Sequence, residues 1–404
     1  MGFLLLLYAV LLVYGSWYPF AWGEPPAPPF TFLHTLPTYL DKGDIVQNVL
    51  VYMPFGLLVV AWCGRRLPFM AALLLAALGG TALSLGIETA QQYLPSRVPS
   101  VVDVAMNFGG SVIGALLGAL VSRRTLPGAT LLRLRDAWFR PGALASTGLI
   151  VIGLWMLSQT TPLVPSLDIA QLRSKLGYLY RSLTEPYPFS RGKLATLWCY
   201  QVALGILLCT LLNAGRPLLR PYVLLLAFVC GGKLLVVGRV LSLELVAAAL
   251  LAVPALALAR RLPPRALAAT GVALLAAGLV IYERMAGDAA VYQGTFNWIP
   301  FEGQMNDISG LENILEFLWP PMAMACLLRQ ALPFHRQDAG AVLGTVLVAL
   351  GLFVLEWLQQ SLPGRYGDIT QVVLACVGWI IPWCVRMRGA RPAVPARRAA
   401  AGQG

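Results

Sequence analysis

Residues 68–97 read PFMAALLLAALGGTALSLGIETAQQYLPSR, and the twenty positions from Pro68 to Ile87 pass without a charged side chain. A helix needs roughly 20 mostly apolar residues to cross a bilayer, so this stretch reads as a membrane span that ends in the Pro95 turn. Its end is patterned. Gln91 and Gln92 follow Glu88 at three and four residues, and Arg97 stands in the turn. The spacing i, i+3, i+4 places Glu88 and the two glutamines on one helix face.

Similar apolar stretches cover 3–13, 45–63, 101–121, 142–161, 193–213, 218–237, 241–259, 266–283, 312–332, 339–361 and 369–385, which makes twelve in all. Twelve spans account for roughly 240 positions, in keeping with 404 residues that are 58% hydrophobic. Only 12% are charged, against about 25% in soluble domains. A soluble globular chain is excluded, and the expectation is an all-α polytopic bundle of about twelve transmembrane helices. The first run lacks a basic n-region and a small-residue cleavage site and leads into Trp17-Tyr18-Pro19-Phe20, so it reads as a retained helix with an aromatic anchor.

The net charge of +12 follows the positive-inside rule and does not point to nucleic acid. Nineteen of the 30 basic residues fall at alternate loops, among them Arg65, Arg66, Arg123, Arg124, Arg216, Arg260, Arg261, Arg329, Arg336 and five arginines from Arg386 to Arg398. That side is expected to be cytoplasmic and to hold both termini, with 391–404 a disordered basic tail. The loop 162–193, placed outside, is the exception, since it carries Arg173, Lys175, Arg181, Arg191 and Lys193. The seven cysteines form no CxxC pair and read as small core residues, and with only two histidines no metal site or cofactor is expected. Trp298 and Trp319 read as interface-belt residues, and Lys233 and Arg239 as interface cations.

The pattern after Glu88 recurs. Glu356-Trp-Leu-Gln-Gln-Ser-Leu-Pro-Gly-Arg365 matches Glu88 to Arg97 at offsets 0, 3, 4, 7 and 9, and Gly110 and Gly378 share offset 22. Asn48 before Pro54 parallels Asn313 before Pro320, whereas Asp103 and Asn107 align with Gln371 and Ala375. The middle third keeps only the rhythm. The expectation is three four-helix units in one orientation, 1–125, 140–262 and 264–390, with the middle one degenerate.

Seven polar residues are expected to converge in the outer leaflet of the first unit: Asp44, Asn48, Glu88, Gln91, Arg97, Asp103 and Asn107. An ionised acid at a bilayer centre costs about 2.5–3.5 kcal/mol on insertion scales, which calls for a partner, and Arg97 is the expected partner of Glu88. Two readings stay open: an ion-pair clamp tying a hairpin together, or a cavity for a polar headgroup or acid/base chemistry. Asn313, Glu356, Gln359, Arg365 and Asp368 are the second-copy candidates. Gly110, Gly114 and Gly118 form a small-residue stripe for helix packing.

These residues resemble the VanZ-like family of bacterial multi-pass membrane proteins, whose pattern is an Asn before Pro-Phe-Gly and then Glu, Gln, Arg, Asp and Asn across a hairpin. The match is carried by Asn48, Pro54, Phe55, Gly56, Glu88, Gln91, Arg97, Asp103 and Asn107; it is best over 44–118 and partial over 296–383. The resemblance implies a bacterial plasma-membrane protein of the cell envelope. It also implies binding or alteration of a lipid-linked component, with lowered susceptibility to teicoplanin-type antibiotics as one readout. The alternatives are an enzyme using Glu88 as acid/base with Arg97 on a phosphate or carboxylate, and a lipid transporter. Membrane lipids are the expected partners.

Overall fold

The computed structural model describes residues 2–25, 28–36, 42–64, 66–122, 125–166, 168–287, 295–305 and 309–385. The expectations for Arg65, Arg123, Arg124 and the 386–404 tail lie outside the described residues. Within them are fourteen α-helices and no strand: α1 (Gly2–Trp17), α2 (Lys42–Cys63), α3 (Phe69–Gln91), α4 (Val101–Leu120), α5 (Leu126–Trp138), α6 (Ala143–Thr160), α7 (Ile169–Thr184), α8 (Arg191–Leu211), α9 (Leu219–Leu235), α10 (Leu243–Ala259), α11 (Pro264–Arg284), α12 (Ser309–Ala331), α13 (Gln337–Gln359) and α14 (Ile369–Cys384). The chain is an all-helical, polytopic membrane protein. By length and composition α2, α3, α4, α6, α8, α11, α12 and α13 can each cross a bilayer, while α1, α10 and α14 are shorter apolar helices.

Each of the twelve expected spans is a helix, and two further helices occupy segments expected to be loops. Both are amphipathic. On α7, Ile169, Leu176, Tyr180 and Leu183 share an exposed face with Arg173 at helical spacing, while Lys175 is buried off that face. Its Nζ donates to the carbonyls of Lys233, Leu234 and Val236 at 3.2, 3.1 and 2.5 Å, satisfying acceptors that α9 leaves open at its end. Burial pushes this amine below the usual lysine range. Sixteen residues that include Arg173, Lys175 and Arg181 are too short and too charged to read as a span, which explains why hydropathy alone passed over the helix.

The first four helices bury their own core, with Leu12, Tyr52, Phe55, Val59, Ala76 and Ala115 at its centre. A second, larger core joins the middle helices to the last four through Trp155, Leu207, Leu256, Trp319 and Cys326. Trp319 is therefore a core residue, 1% exposed with its ring 4.9 Å from that of Tyr200, and not a belt residue. Trp298 is exposed, with its ring against those of Phe296 and Phe353. Cys63, Cys199 and Cys326 are buried, but Cys384 is exposed, which departs from its reading as core. Arg329 is no loop charge: it is buried, and its guanidinium donates to the Pro382 and Val385 carbonyls at the end of α14.

The close approach of α2 and α4 follows from glycine. A Cβ at Gly114 would strike the Met53 carbonyl, one at Gly110 the Val49 carbonyl, and one at Gly56 the Ser111 carbonyl. The small-residue stripe thus brings two backbones into contact. Gly378 of α14 meets the Leu318 carbonyl of α12 in the same way. The pairs in contact among α1–α4 also correspond to those among α11–α14, with α2 against α4 and α12 against α14 the most extensive.

Candidate functional site

The polar residues of the first four helices gather where α3 ends and α4 begins. Glu88 lies in the last turn of α3, 4% exposed, and its Oε2 accepts the Ser100 backbone N–H at 2.9 Å. Ser100 is the N-cap of α4, and its hydroxyl accepts from the Val102 N–H at 3.1 Å. Two of the open donors at the helix start are thereby satisfied. Arg97 does not pair with Glu88. Its Nη2 donates to the carbonyls of Tyr18 at 3.0 Å and Gly15 at 3.4 Å, and Gln91 Nε2 donates to the Ser16 carbonyl at 2.8 Å. A cation at the carbonyl end of α1 is favoured by the helix dipole, and this outcompetes the expected ion pair. Glu88, Gln91 and Arg97 therefore tie three helix ends together.

The other four expected residues are placed differently. Asp103 stands in the first turn of α4, half-buried, within electrostatic reach of Asp44 on α2 and of Glu88. Asp44 is exposed and Asn48 half-buried, and no side-chain hydrogen bond of Asp44, Asn48 or Asp103 forms among the described residues. Behind them Asn107 is buried; its Nδ2 donates to Ser84 Oγ at 2.9 Å, and its Oδ1 has no partner. The Tyr52 hydroxyl, also buried, lies beside Ser84 without completing a hydrogen bond of ordinary geometry. A buried polar atom left open costs about 1–3 kcal/mol, so one unpaired donor and one unpaired acceptor at one place are an unmet demand for a ligand or water.

Tyr52 and Ser84 escaped the sequence reading because a lone hydroxyl within an apolar run reads as an ordinary span residue. Spacing could have found them, since Tyr52 is four residues from Asn48 and Ser84 four from Glu88, each pair sharing a helix face.

The last four helices hold a second polar cluster. Glu356 Oε2 accepts the Asp368 N–H at 3.0 Å, twelve residues on, as Glu88 does with Ser100. Asp368 caps α14 by accepting from the Thr370 N–H at 2.8 Å. Arg365 donates to the Tyr282 carbonyl near the end of α11 at 3.2 Å, and Gln359 donates to Glu283 and Glu356. With its amide nitrogen turned toward Glu356, Gln371, which stands in the place of Asp103, donates to both carboxylate oxygens. Asn313 accepts from Gln304 at 3.1 Å, and Gln304 also donates to Asp368 at 2.9 Å. The structure adds Glu283, Gln304 and Thr370, all buried and outside the matched offsets.

Lys233 and Arg239 do not face lipid headgroups alone. Arg239 pairs with Glu312, and Lys233 stands in the field of both, so the middle and last helices share a charged seam. At the other end of the chain, the Tyr18 hydroxyl meets Glu302; loss of solvent first, and then that carboxylate, push it up to about 12. Among the described residues no group of His, Cys, Asp and Glu is arranged to hold a metal ion.

A family model described as VanZ/LLP1 matches residues 3–122. No curated protein and no solved structure matches the chain.

Proposed function

We propose, for a membrane protein whose first four helices are a VanZ/LLP1 unit, that the cleft between α2, α3 and α4 binds the polar headgroup of a lipid-linked envelope component at the outer leaflet of the bacterial plasma membrane. The observation that carries this reading is the pair of open buried atoms, Tyr52 Oη and Asn107 Oδ1, behind the unengaged Asp44, Asn48 and Asp103. Ionisable and polar groups within a membrane bundle mark ligand paths by default. Asp103 and Asp44 accept donors from hydroxyl, amide or ammonium groups, which suits a sugar or amino-acid headgroup better than a bare phosphate. Lowered susceptibility to teicoplanin-type antibiotics is the expected consequence when that component is shielded.

Three four-helix units of one orientation, about 1–125, 140–262 and 264–390, are the proposed plan of the chain. For the first and last units, support comes from Glu88 and Glu356, which each reach the next helix start, and from Arg97 and Arg365, which each donate to the end of the unit's first helix or the residue after it. A residue in left-handed backbone also follows a proline at Pro19-Phe20, Pro162-Leu163 and Pro300-Phe301, with φ of 61°, 59° and 68°.

In the enzyme alternative Glu88 would exchange its proton through Oε1, since its Oε2 accepts the Ser100 amide. The test is purified protein in proteoliposomes with a labelled lipid-linked peptidoglycan precursor. The reading predicts saturable binding, with neither chemical conversion nor movement between leaflets. Conversion would replace it with the enzyme, and sided movement with the transporter.

A further inference from the structure

A long apolar groove runs along α13, walled by α11 and α12, with Trp379 of α14 at its floor and a volume of about 750 Å³. Along α13 it extends from Arg336 to Leu355, about 28 Å at roughly 1.5 Å per residue. The hydrocarbon core of a bilayer is about 30 Å thick, so the groove is nearly twice as long as one leaflet is deep. Small residues line it, among them Ala276, Ala339 and Gly351. At Gly351 an added Cβ would find nothing within 4 Å. In the first four helices, the corresponding α3 packs more extensively on α2 than α13 does on α12.

Only one charged residue lines the groove, Arg336, exposed at its mouth and without a side-chain ion pair among the described residues. Asp338 in the same turn is not part of the lining. An apolar slot with a single cation at one end selects a ligand with an apolar tail and one anionic head. A two-tailed phospholipid has chains no longer than its leaflet, about half the groove's length.

We propose that this groove binds a single-tailed anionic lipid longer than one leaflet, of the polyprenyl phosphate class, with its phosphate at Arg336 and its tail along Leu343, Leu347 and Gly351. The site stands apart from the α2–α4 cleft and does not depend on the function proposed for it. Arginine suits the head because its planar fork meets phosphate bidentately.

The test is native mass spectrometry of the full-length protein in detergent micelles carrying equal amounts of a polyprenyl phosphate, the uncharged polyprenol and phosphatidylglycerol. The expected result is retention of the polyprenyl phosphate about tenfold over either competitor. Arg336→Gln should reduce that retention to the polyprenol level. Gly351→Phe, which places a ring in the open slot, should abolish it at an unchanged melting temperature, and Tyr52→Phe should leave it intact. Equal retention of phosphatidylglycerol, or full retention in folded Gly351→Phe, would overturn the proposal. Loss in Tyr52→Phe would overturn its separation from the cleft.

Discussion

Two buried acids twelve residues before a helix start carry much of the argument at the residue scale. Glu88→Gln keeps an oxygen for the Ser100 N–H and removes a charge whose burial is costly, so folding should survive. Glu356→Gln should cost more, on the order of 2 kcal/mol, because Glu356 also accepts from Gln359 and Gln371 and its loss leaves those donors open. Thermal unfolding of the two variants in detergent checks the order. Arg97→Lys should lower stability by about 1 kcal/mol, since an ammonium cannot hold the Tyr18 and Gly15 carbonyls together in the guanidinium geometry. The residue types were legible in the sequence, and Glu88, Gln91 and Arg97 come together at the ends of α1, α3 and α4, with Asp103 in the field of Asp44 and Glu88. Their division of labour was not. Spacing shows that Glu88 and Arg97 are near each other, but backbone carbonyls and amides compete for both, and those groups leave no trace in residue identity.

At the scale of helices, the glycines of α4 set how near α2 can come. Gly114→Val should destabilise by on the order of 3 kcal/mol, because its side chain meets the Met53 backbone, which cannot swing aside. Gly109→Ala, with open space around its Cβ, should be neutral or stabilising by up to about 1 kcal/mol through helix propensity. Equal effects of the two substitutions on unfolding would remove the close-packing account. The apolar helices were visible as runs of uncharged residues. α5 and α7 were not, because their apolar positions alternate with Arg and Lys at helical spacing and average to low hydropathy. The second polar cluster reads as depleted in sequence because Gln371 and Ala375 replace Asp103 and Asn107, yet Gln371 completes the Glu356 hydrogen bonds and Glu283 and Gln304 enter from other segments.

On the scale of the whole molecule, two cores and the expected alternation of basic loops make separate predictions. Loops assigned to one side do meet: Phe139 bridges to Leu212, and Arg216 donates to the Ala137 carbonyl at 2.9 Å. In a cysteine-free background, Thr35→Cys and Glu185→Cys should react with an impermeant reagent applied to intact cells, while Arg66→Cys and Arg261→Cys should react only after lysis. Labelling of all four from outside would refute the orientation. The central claim is that the α2–α4 cleft binds a headgroup through Tyr52, Asp103 and Asn107, while Glu88 and Glu356 hold helices in place. Its most direct test is the amount of labelled lipid-linked precursor bound per mole of folded protein in Tyr52→Phe, Asp103→Asn and Glu356→Gln. Removing the open Tyr52 hydroxyl should leave the melting temperature unchanged or slightly raised and lower binding about tenfold, with Asp103→Asn alike, whereas Glu356→Gln should lower the melting temperature and leave binding per folded molecule intact. Full binding in Tyr52→Phe and Asp103→Asn, or its loss in folded Glu356→Gln, would contradict the account.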